Sequence, residues 1–174
     1  MSVINLEHTP NSRMGWALSN GFRPLFTLVS LQALLALGGW LAFWNGWLNP
    51  PADMLSPVIW HGHEMLFGFV GAAIGGFLLA AVANWTGRRP VAGLPLVGLV
   101  AAWLLARAVA LFGGAWPDVV NALAAISFWL LLAFLFGREL ILAGNRRNLK
   151  VLIIIGGFAL LSLAFHLHWL APLD

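Results

Sequence analysis

The chain of 174 residues contains no cysteine and no tyrosine. The first absence excludes disulfides, iron–sulfur clusters, thiolate metal sites and covalent c-type haem attachment. The second excludes chemistry that needs a phenol beside a metal, unless a partner supplies it. Any metal must therefore be held by histidine, methionine, carboxylate or water. Charge is scarce as well: charged residues make up 9% of the chain and hydrophobic ones 61%, with a mean hydropathy of +0.89. That balance is too apolar for a water-soluble domain of this size and marks an integral membrane protein. Strict apolar/polar alternation is missing, which argues against a β-barrel. No phosphate-binding loop, nucleophile elbow or redox dithiol is present either.

What remains is a set of long apolar runs. Five are long enough to cross a bilayer as helices, which takes about 20 residues: Leu25 to Phe43, Val58 to Val82, Leu94 to Phe112, Val119 to Phe136 and Leu149 to Leu170. The expected fold is an all-α, polytopic membrane bundle of five transmembrane helices, with residues 1–174 forming a single domain. Arg13 and Arg23 precede span one, Arg88 and Arg89 follow span two, and Arg138, Arg146, Arg147 and Lys150 separate spans four and five. The other two loops carry only Asp53 and Asp118. Short basic loops stay on the cytoplasmic side, so the N-terminus is expected in the cytoplasm and the C-terminus in the periplasm. The pI of about 11.2 is then a topology signal with anionic lipid as its partner, and nucleic acid is not expected. The first span follows a polar leader and exceeds the roughly 7 to 15 residues of a signal-peptide core, so it is expected to be retained. Tryptophans such as Trp44, Trp47, Trp60, Trp85, Trp116 and Trp169 border the spans as interfacial anchors.

The chemistry concentrates in Trp60-His61-Gly62-His63-Glu64, at the start of span two. Ionisable groups inside an apolar span are costly and read by default as functional. His166 and His168 lie near the outer end of span five, so four histidines are expected at one depth near the outer face. An isolated imidazole near a helix end is commonly only an interfacial hydrogen-bonding group, whereas four together beside a carboxylate point to a site. Residues two apart in a regular helix diverge by about 200°, so neither His61 with His63 nor His166 with His168 can chelate one ion. One histidine from each pair could meet across the bundle, as axial ligands of a b-type haem or as part of a copper site. His61 shares a stripe with Glu64, Met65, Gly68, Ala72 and Gly75, and His63 shares one with Phe67, Val70, Ile74 and Phe77. Spacing does not choose between them. Arg107, about five residues or roughly 8 Å below the outer end of span three, is a natural ion-pair partner for Glu64. Glu64 could equally hold the second nitrogen of a ligating imidazole. His8, in the polar leader, is assigned no role.

Several segments together resemble the NnrS family: Gly21-Phe22-Arg23-Pro24-Leu25-Phe26, Trp60-His61-Gly62-His63-Glu64-Met65-Leu66-Phe67-Gly68-Phe69, Gly76-Phe77-Leu78-Leu79, Asn84-Trp85-Thr86-Gly87, Asn145-Arg146-Arg147-Asn148-Leu149 and Phe165-His166-Leu167. The resemblance implies a bacterial inner-membrane protein that binds haem b and copper and takes part in the response to nitric oxide, often alongside denitrification, with nitric oxide as a ligand. It carries the family's ligand roles to His61, His63, Glu64 and His166, without saying which contacts haem and which copper, or whether a reaction is catalysed. Such proteins are usually longer, and this chain resembles their N-terminal half. A short natural member, a truncated product and one subunit of a larger assembly are all compatible with that, and a homo-oligomer or further membrane subunits would complete the site. Two other readings are a small cytochrome b-type electron-transfer subunit and a non-catalytic scaffold subunit of a respiratory complex.

Overall fold

A computed structural model describes residues 13–48, 56–112 and 117–167. The described residues are helical, and five helices are long and apolar enough to span a membrane, in line with the sequence-based expectation. A short helix α1 (Arg13–Ala17) precedes α2 (Phe22–Trp44), the first span. The second span is composite: α3 (Pro57–His63), one π-helical segment (Glu64–Val70) and α4 (Gly71–Thr86). Ser56 caps it, its hydroxyl accepting from the Ile59 N–H, and Pro57 occupies the first turn, where its missing N–H costs nothing. The third and fourth spans are α5 (Leu94–Phe112) and α6 (Asp118–Leu142). A 3-10 turn (Arg146–Lys150) then leads into α7 (Val151–His166).

α6 continues past Phe136, where its apolar run ends, through Arg138 and Glu139 to Leu142. The polar pair does not stop the helix because Glu139 is neutralised on the spot by Arg88, 2.6 Å away, and by Arg138. α6 is also the centre of the bundle. It packs against α5, α7 and α4, and α4 packs in turn against α2. Phe128, Trp129, Leu132 and Phe136 of α6 are nearly inaccessible and meet Leu96 and Leu99 of α5, Ile155 of α7, and Leu79 and Val82 of α4. Gly75 permits this approach: a Cβ there would lie 3.1 Å from the Phe128 ring and 3.3 Å from Leu25, the small-residue contact by which membrane helices come close.

All basic connections lie at one end of the bundle. The Gly93 N–H bonds the Leu18 carbonyl, joining the α4–α5 connection to the segment before α2, and the Asn145 amide bonds the Trp85 carbonyl. His61, His63, Glu64, Arg107 and His166 belong to the other half.

Candidate metal centre

The composite second span sets the geometry of the site. Over residues 63–76 its buried residues come in pairs, 63/64, 67/68, 71/72 and 75/76, repeating every four positions. In a regular α-helix a four-residue step overshoots a full turn by about 40°, so such a stripe would wind away from its neighbours. The wider π turn falls short of a full turn over four residues and offsets that drift. His63, Glu64, Phe67 and Gly68 therefore all face the bundle. The face drawn for His63 on regular-helix geometry is corrected accordingly. Phe67 lies on it, but Val70 and Ile74 are only partly buried and Phe77 is 60% exposed.

Glu64 is the hub. Its Oε1 accepts from the Arg107 guanidinium at 2.7 Å and from His63 Nδ1 at 3.0 Å, and its Oε2 accepts from the Gln32 amide at 2.7 Å. Three donors satisfy a carboxylate that burial would otherwise make costly. Gly68 makes room for two of them, since a Cβ there would lie 2.8 Å from Gln32 Nε2 and 2.9 Å from the Arg107 guanidinium. Trp103 fixes the third span in register, donating its indole N–H to the Gly68 carbonyl at 3.1 Å.

The two histidine pairs divide. His63 is buried and its ring is 5.2 Å from that of His166, edge to face, with Phe165 at 4.5 Å and Phe67 at 4.9 Å. His61 lies apart from this contact, stacked on Trp40 at 4.4 Å, with its Nδ1 buried and unpartnered. His168 lies outside the described residues.

Hydrogen bonds select the tautomers of the paired rings. The Ser162 carbonyl can only accept, so His166 Nδ1, 2.8 Å away, is the donor. Glu64, already bonded by two other donors, accepts likewise from His63 Nδ1. Each neutral ring then carries its lone pair on Nε2, and His63 Nε2 is buried with no hydrogen-bond partner. A backbone carbonyl or carboxylate on one nitrogen and an open lone pair on the other is the usual setting of a metal-ligating imidazole.

The spacing discriminates between metal groups. With metal–nitrogen bonds of about 2 Å and about 1 Å more to each ring centre, two imidazoles at a tetrahedral angle stand about 5 Å apart and two trans across an ion about 6 Å. The observed 5.2 Å suits two ligands at about the tetrahedral angle on one small ion. A porphyrin does not fit between rings already in contact. Among the described residues no third His, Asp or Glu completes a three-ligand cluster.

Gln32 carries no charge, so the ionisable groups of the sequence do not point to it. The available signal was a lone amide within the apolar first span. Ser162, which orients His166 through its carbonyl, could not be read from side-chain chemistry at all.

Among known families, the family model described as NnrS protein matches residues 17–174. The chain belongs to the NnrS family. No curated protein and no solved structure matches it. The NnrS match runs through all five spans and thus takes in every element that builds the Glu64 hub.

Proposed function

We propose that this NnrS chain is a bacterial inner-membrane metalloprotein of the nitric oxide response, in which His63 and His166 hold a copper ion. The observation that carries the reading is the meeting of two imidazoles from distant helices, each with Nδ1 engaged by an acceptor and Nε2 left open. Neutral imidazole nitrogen is a good donor to copper. A bound copper would supply one-electron chemistry and an open position for nitric oxide. Glu64 orients His63, Arg107 and Gln32 hold Glu64, and Phe67 and Phe165 exclude water from the pair.

Haem b, implied by the family, cannot sit between His63 and His166 in this packing. In this reading it takes His61 or His168 instead, with Trp40 already stacked on the His61 ring. The same packing disfavours an electron-transfer cytochrome built on the His63–His166 pair. The test is optical and magnetic. Purified protein loaded with copper should show a cupric resonance with imidazole nitrogen coupling that changes on addition of nitric oxide. A spectrum indifferent to nitric oxide would contradict the reading, and pyridine haemochrome assay of the same sample reports haem b independently.

A further inference from the structure

The end of the bundle opposite the histidines carries a polar feature that the metal site does not use. Between the α4–α5 connection and the last turns of α6 lies a cleft of about 410 Å³ lined by Arg88, Arg89, Pro90, Pro95, Arg138 and Glu139. Glu139, with its side chain 8% exposed, is bonded by Arg88 Nε at 2.6 Å and lies 3.4 Å from Arg138. One carboxylate thus meets two guanidiniums, and Arg89, which has no partner among the described residues, adds a third to the lining, leaving an excess of two positive charges. Guanidinium forks match phosphate oxygens in geometry and charge.

The surroundings indicate what the phosphate is attached to. Arg138 lies four residues before the end of α6, about 6 Å inside it. On the same stripe, one and two turns deeper, Phe134 and Leu130 are 64% and 55% exposed. On α5, Leu94, beside the cleft, begins a second exposed stripe that continues through Val97, Ala101 and Leu104. Apolar tracks therefore lead from the charged cleft along both helices into the apolar part of the bundle. An inorganic anion would use the guanidiniums alone. A phospholipid uses both features.

We propose that this cleft binds the phosphoryl headgroup of an anionic phospholipid, whose acyl chains lie along the outer faces of α5 and α6. The test is native mass spectrometry of the delipidated full chain, titrated with dioleoylphosphatidylglycerol or dioleoylphosphatidylcholine. The anionic lipid should bind several-fold more tightly, and Arg89→Gln with Arg138→Gln should weaken it about fivefold per guanidinium lost. Arg146→Gln with Arg147→Gln, close by but outside the cleft, should leave binding unchanged, and excess inorganic phosphate should not displace the lipid. Equal binding of the two lipids, or equal loss in both double variants, would overturn the proposal in favour of diffuse attraction. Displacement by phosphate would overturn it in favour of a free-anion site. Should the first double variant fail to fold, Arg89→Gln alone decides the matter, because Arg89 has no partner to lose among the described residues.

Discussion

Glu64 shows at the scale of one residue how a charge is kept inside an apolar bundle. Its three donors come from α2, α5 and its own span, so the carboxylate links three helices as well as aiming His63. Removing it leaves the Arg107 guanidinium buried without its counter-ion. We expect Glu64→Gln to lower stability by about 3–5 kcal/mol, read from thermal unfolding in detergent, and Arg107→Met in the same chain to restore part of the loss. Gln32→Ala should cost about 1.5–3 kcal/mol, as expected for a hydrogen bond to a charged group. The ion pair was legible from the depth of the two residues in their spans. Gln32 was not, because an uncharged side chain stands out less from an apolar run, and its partner is 32 positions away.

At the scale of the element, the π-helical segment matters most. Hydropathy alone gives a span and its ends, but not the rotation of its faces, and here the rotation departs from the regular value from Glu64 onward. The sequence therefore permitted the conclusion that His61 and His63 diverge, as they do, but not the identity of each face. Glycines along this span provide a direct comparison. Gly68→Ala should destabilise by about 1–3 kcal/mol through overpacking against Gln32 and Arg107. Gly62→Ala meets nothing within 4 Å and should be neutral or stabilise by up to about 1 kcal/mol. Thermal unfolding of the two variants side by side measures the difference, and equal effects would mean that Gly68 is not a close-approach position.

At the scale of the whole molecule, the bundle separates a basic end from a histidine-bearing end. The number of spans was legible because five apolar runs each exceed a bilayer crossing. The extension of α6 beyond Phe136 was hidden, since it depends on Arg88 reaching Glu139 from 51 positions away. With no native cysteine, single substitutions test the orientation cleanly. Leu48→Cys should react with an impermeant maleimide in intact spheroplasts, and Ala143→Cys only after the membrane is opened; the reverse pattern would invert the bundle. Metal content tests the His63 and His166 assignment most directly. Copper per chain, measured by mass spectrometry on folded, copper-loaded protein, should be about one, unchanged in His61→Ala and lost in His63→Ala and in His166→Ala. Copper retained by both of the latter variants, or absent from the folded parent chain, would contradict the assignment.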